Sequence, residues 1–230
     1  MKHKKLPPKV LEKMLDHLGT KRALSRNGEP SRAVLAGMLL VSGCLTGLRP
    51  SEWAGTRIID GADTATLVLL VPNGKQGNNR SHGPSRHVEL GHLEPSLWRA
   101  LVTMVAAMNE LAGRGELDRA INSARRIIRD VNEVLWPRAE KHYTLYSARH
   151  QFSASTKASL PEAAVAALMG HASADTAGYH YGRRRAGRSS IMPGVNRPEV
   201  RAADEETARV RPRRKMGHEN RQQARAAPKV

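Results

Sequence analysis

Cysteine is nearly absent from this sequence of 230 residues: Cys44 stands alone. That excludes a disulfide framework and any zinc site built from several thiolates. Aromatic residues are scarce, at 3%, so a core must come from Leu, Val, Ala and Met. No long hydrophobic run is present either. The longest, Ala33 to Leu45, is interrupted by Gly37, Ser42 and Gly43 and is too short to cross a bilayer. The opening MKHKK has no apolar stretch behind it, so no secretory signal is expected. The ten histidines, including His82, His87 and His92, have no metal-ligand spacing on one face, and neither metal nor cofactor is expected. These absences lead to the expectation of a cytoplasmic protein with no membrane partner, and the excess of Lys and Arg over Asp and Glu adds that of nucleoid association.

Acidic residues are also few. Against 38 Lys and Arg there are 21 Asp and Glu, a formal charge of +17. A surplus of that size points to a polyanion, most often nucleic acid. It is concentrated from Arg183 onward, where 14 basic residues meet 5 acidic ones. That stretch has four prolines, no aromatic residue and little apolar periodicity. It reads as a basic, disordered tail over 184–230 that contacts DNA backbone, following one domain over 1–183.

Within 1–183 the pattern is helices, a small antiparallel sheet, then helices: an α+β fold that is mostly α. Leu11, Met14, Leu15 and Leu18 form a helical stripe between Pro7-Pro8 and Gly19. Ser31 can cap a buried helix from Ala33 to about Leu45. Three strands are predicted near Arg57–Asp60, Thr64–Val71 and Arg86–Leu90. Leu97 to Leu111 gives one further helix and Leu117 to Leu135 another. A third covers about Ser147 to Ala158. Ser159 and Glu162 resemble a capping box for the next helix, which stops at Gly170. A last short helix is expected from Ser173 to Tyr181.

Four separated pieces carry groups suited to a phosphate. They are Thr46-Gly47-Leu48-Arg49-Pro50-Ser51-Glu52, Lys75 just past a strand end, Tyr146-Ser147-Ala148-Arg149-His150, and Leu168-Met169-Gly170-His171 followed by Thr176, Tyr179 and Tyr181. In this order they resemble the tyrosine recombinases, the phage-integrase family, over residues 6 to 183. The resemblance implies a site-specific recombinase or integrase of a mobile element, working on double-stranded DNA as a homotetramer. It implies metal-independent cleavage through a 3′-phosphotyrosyl intermediate.

The chemistry explains the inventory. A tyrosine phenolate conserves the phosphodiester energy in a covalent link and needs no metal. Two guanidiniums can grip the non-bridging oxygens of the charged transition state. By the resemblance, Arg49 and Arg149 do so, and Lys75 protonates the leaving 5′ hydroxyl. His171 bonds the phosphate, and His150 lies near it. Glu52 supports Arg49. A Lys in a Gly/Asn loop is usually just solvated, and Arg80 or Arg86 could take its role. Arg149 sits between Leu145, Ala148 and Phe152, where a phosphate is the expected partner rather than a carboxylate.

Tyr146 stands where the family most often has His and is a weaker acid–base group near neutral pH. The family's upstream clamp domain is not expected in this chain. Two other functions stay open: a type IB topoisomerase-like relaxer, and a non-catalytic DNA-binding remnant of an integrase. For the nucleophile, Tyr179 and Tyr181 lie about 200° apart on a continuous helix. Tyr181 falls on the side of Ala174 and Ala177 and is the expected attacking residue.

Overall fold

The computed structural model describes residues 3–21, 30–60, 66–74, 81–176, 181 and 183–212. Helix α1 spans Pro8–Gly19 and α2 spans Arg32–Thr46. Pro8 starts α1 with a backbone angle already suited to a helix, and Leu11, Met14 and Leu18 are its buried face. Ser31 caps α2 by accepting the Val34 N–H at 3.3 Å. This helix is apolar nearly all round and lies at the centre, against α1, α5 (Leu145–Ser159), α4 (Leu117–Leu135) and α3 (Pro95–Gly113).

α2 stops at Gly47, whose φ of 68° is the left-handed conformation of a helix C-terminus. A Cβ there would lie 2.2 Å from the Phe152 ring. Glycine is therefore required on two counts: backbone angle and the close approach of α5. The turn delivers Arg49 to the surface of the core, followed by a 3₁₀ turn over Pro50–Trp53.

The sheet contains β1 (Arg57–Asp60), β2 (Thr66–Pro72) and β3 (Ser85–Gly91), all antiparallel. Leu67, Leu69 and Val71 of β2 and Val88 and Leu90 of β3 are buried, the period-two pattern of a sheet with one covered face. The expected three strands are four. Residues 199–201 add an edge strand, with Leu90 opposite Val200.

That fourth strand corrects the expected disorder of residues 184–230 over its first part. A 3₁₀ turn (Arg184–Ala186), a β4–β5 hairpin (Ser190–Met192 and Val195–Asn196), β6 (Glu199–Arg201) and α7 (Asp204–Arg209) follow in order. Sparse apolar residues suffice because the domain supplies the rest of the core: Ala186, Ile191, Val200 and Val210 are buried in it. Glu206 of α7 accepts the His87 N–H at 2.9 Å and contacts His87 Nδ1 at 2.8 Å. Residues 213–230 lie outside the described residues.

α6 spans Glu162–Leu168. Its N-cap is Pro161, with no side-chain cap, while Ser159 is the last residue of α5. The expected Ser159–Glu162 box is thus not formed. Of the helix expected from Ser173, residues 177–180 lie outside the described residues. No helix among the described residues is long and apolar enough to cross a membrane.

Candidate active site

Arg149 is carried on α5, which begins with a reciprocal cap: the Thr144 N–H donates to Ser147 Oγ at 3.0 Å. The arginine is 1% exposed. Its Nη1 donates to the Gly47 carbonyl, and its Nη2 to the Met169 carbonyl at 2.7 Å. The ends of α2 and α6 are thereby tied to one guanidinium. A carboxylate also stands nearby, contrary to expectation: Glu52 Oε2 lies 3.5 Å from Arg149 Nη1. Burial and the neighbouring Arg49 lower the Arg149 pKa to about 10.

Glu52 is 1% exposed and faces three guanidiniums. It accepts from Arg49 Nη1 and, at 2.8 Å each, from the Arg49 N–H and Arg86 Nη2. Burial alone would raise its pKa. Arg86, Arg149 and Arg49 outweigh burial and hold the carboxyl well below the ordinary range. Burial opposes the charge on Arg49 too, yet Glu52 and the nearby tyrosines keep its pKa above the ordinary value.

Arg86 is fully buried and forms a hub that the sequence reading did not assign. Its Nε donates to the Leu168 carbonyl at 2.8 Å, its Nη1 to Asn73 Oδ1 at 2.6 Å, and its Nη2 to Glu52. It joins the end of α6, the end of β2 and the Arg49 turn. With every nitrogen engaged, it is a cross-link rather than a substitute for Lys75. The available signal was strand alternation, which puts Arg86 on the same face as Val88 and Leu90.

α6 ends in a Schellman motif, with Gly170 N–H donating to Ala167 O and His171 N–H to Ala166 O, both at 2.8 Å. Gly170 has φ of 66°, and a Cβ there would lie 2.4 Å from Asn73 Oδ1 and 2.9 Å from Arg86 Nη1. This turn carries His171, 2% exposed, to a point where Nε2 is 3.5 Å from Arg149 Nη2. Burial first, then Arg149, Arg49 and Arg86, lower its pKa to about 2. The imidazole is neutral, and its Nδ1 is buried without a hydrogen-bond partner.

Tyr181 completes the group. Its hydroxyl accepts from Arg149 Nε at 3.3 Å, and its ring centroid is 5.1 Å from those of both His171 and His150. Burial works to raise the phenol pKa. Arg149 and Arg49, by charge and hydrogen bond, outweigh it and hold the phenol below its ordinary value. Burial, then Lys4 and Arg149, lower His150 to about 4.

Arg49, Arg149, His171, His150 and Tyr181 therefore converge. Tyr146 is 37% exposed, close enough to Arg49 to affect its charge. Lys75, Arg80 and Tyr179 lie outside the described residues. Gly74, which precedes Lys75, donates its N–H to Glu52 Oε1 at 3.4 Å. No cluster of His, Cys, Asp and Glu that could hold a metal occurs among the described residues. Three guanidiniums share one carboxylate, and the histidine is neutral. An excess of buried positive charge of this kind is relieved by an anion, so the arrangement is suited to holding one beside a tyrosine hydroxyl.

No protein-family model matches the chain, and no curated protein matches it in sequence. Solved structures that it resembles include the XerH site-specific recombinase bound to difH substrate in a pre-cleavage complex, with TM-score 0.45 and 17% identity over 76% of this chain and 49% of that one. Another is XerH bound to palindromic difH substrate in a post-cleavage complex, with TM-score 0.45 and 19% identity over 75% and 48% of the two chains. The chain spans about half the length of these recombinase chains.

Proposed function

We propose that this chain is a tyrosine recombinase that cleaves and rejoins DNA through a 3′-phosphotyrosyl intermediate. One observation carries the reading: the Tyr181 hydroxyl sits 3.3 Å from Arg149 Nε, beside Arg49 and His171, in a buried cluster with surplus positive charge. The Tyr181 oxygen attacks the phosphorus, and the bond from phosphorus to the 5′ oxygen breaks. Arg149 and Arg49 bind the non-bridging oxygens as negative charge builds. Glu52 and Arg86 do not touch the phosphate; they fix the two guanidiniums in place. His171, neutral, accepts the proton that the Tyr181 hydroxyl gives up as its oxygen attacks. Lys75 protonates the departing 5′ hydroxyl. Reversal with a new 5′ hydroxyl rejoins the strand.

In this reading the phenol meets its base and cations before DNA arrives, and the phosphate anion then offsets the part of the His171 shift that comes, after burial, from Arg149, Arg49 and Arg86. Recombination between two duplexes requires four copies on DNA, whereas a relaxing enzyme acts as a single copy. Integration, excision and mobile-element function belong to this proposal.

The test is covalent trapping. The protein is incubated in EDTA with a nicked duplex, and an adduct stable to SDS is sought. The adduct is expected without metal or nucleotide. Arg149→Lys is expected to lower its rate by about 10²-fold or more, because a point charge loses the two-pronged grip. An absolute requirement for Mg²⁺ would overturn the mechanism.

A further inference from the structure

The segment His3–Leu6 runs along α5 and is fastened at both ends. The His3 N–H donates to the His142 carbonyl at 3.0 Å, and the His3 carbonyl accepts from Ser147 Oγ at 2.7 Å. The His3 ring stacks on Tyr143, with centroids 4.3 Å apart and planes at 16°. Tyr143 is itself clamped by Asn132, which accepts its N–H at 2.7 Å and donates to its carbonyl at 3.0 Å. At the other end Leu6 is 1% exposed, and its N–H donates to Gln151 Oε1 at 3.1 Å.

Between these anchors Lys4 and Lys5 are exposed. Ser147 and Gln151 lie about one turn apart on the helix that carries Arg149, and His150 lies between them. The charge of Lys4 reaches His150, and that of Lys141, also exposed, reaches His3. Lys4, Lys5 and Lys141 make no ion pair among the described residues. A strap fixed on both sides holds its lysines in place at small further entropic cost on binding. Like charges gathered there fit a polyanion.

We propose that the His3–Leu6 strap grips duplex DNA, with Lys4, Lys5 and Lys141 holding backbone phosphates that flank the phosphate at Tyr181. The inference rests on the reading of the site as one that cleaves DNA. Contacts of this kind fix the register of the protein on the duplex and carry no base specificity. The strap therefore acts on every sequence alike.

The test is duplex binding by fluorescence anisotropy across a salt series, in a Tyr181→Phe background so that cleavage does not intervene. The double substitution Lys4→Ala/Lys5→Ala is compared with Lys13→Ala/Arg99→Ala, which removes two exposed cations from α1 and α3. Loss of two phosphate contacts lowers the slope of log K against log salt by about 2. That drop, on specific and random duplexes alike and at least twice the control's, is the expected result. An unchanged slope, or an equal drop in the control, overturns the proposal. The adduct assay with the wild-type chain separates this failure from failure of the functional reading. Adduct without a strap effect removes the strap alone, and a strap effect without adduct removes the strand-transfer chemistry alone.

Discussion

Glu52 is held by Arg49, Arg86 and Arg149, so its removal leaves three buried guanidiniums without their shared counter-charge. Breaking such a buried pair typically costs about 3–5 kcal/mol, and Glu52→Ala is expected to lose stability of that order in urea unfolding. The pH response follows from the same groups. The Glu52 carboxyl titrates in the folded chain below its unfolded range, so its contribution is complete above that range and is lost as pH falls through it toward the folded value. His150 and His171 are bases with folded values of about 4 and about 2 against an ordinary 6.5. Unfolding lets them take up protons, so stability also falls as pH drops below 6.5. Urea midpoints are expected to decline from pH 7 to pH 5; a flat profile or a rise would contradict these directions. The Arg49–Glu52 pairing was legible because the residues are three apart on one turn. Arg86 was not, although it opens a predicted strand, because its partners Leu168 and Glu52 are 82 and 34 residues away.

At the scale of elements, the α6 turn and the end of β2 meet through Gly170, Asn73 and Arg86. Gly170→Ala forces a side chain into the left-handed region, at roughly 1–2 kcal/mol, and onto Asn73. A stability loss above that figure is expected in urea unfolding, because either Asn73 or the His171 turn must move. A loss of a few tenths would contradict the contact. The buried α2, the capped helix start at Ser31 and the first three strands were legible from periodicity and turn residues. β6 was not: three residues with one buried apolar side chain, Val200, give no pattern of their own. Its order is borrowed from the edge of β3 through the pairing of Leu90 with Val200.

For the whole molecule, the charge surplus led to one domain and a basic tail, and the boundary at 183 cuts through folded structure. Deleting residues 185–230 removes β6, the Glu206 contact with His87, the Ala186 carbonyl that accepts from Gln151 at 2.9 Å, and the Arg197 bond to the Cys44 carbonyl at 2.8 Å. A marked drop in melting temperature is expected from that deletion, and an unchanged melting temperature would contradict the packing of this segment. A DNA-arm role is better tested by deleting only 213–230, which holds six basic residues and one acidic. Composition could not separate these two parts, because folded and terminal stretches share the same arginine-rich character.

The four motif pieces, scattered from Thr46 to Tyr181, were the legible part of the site, and the fold brings the described ones together. In the proposed function Tyr181 is the group that joins DNA. The most direct measurement is adduct formation on nicked duplex in EDTA by Tyr181→Phe and by Tyr179→Phe, with duplex binding measured alongside. Tyr181→Phe is expected to form no adduct while still binding DNA, and Tyr179→Phe to form it. An adduct that persists in Tyr181→Phe would contradict the account.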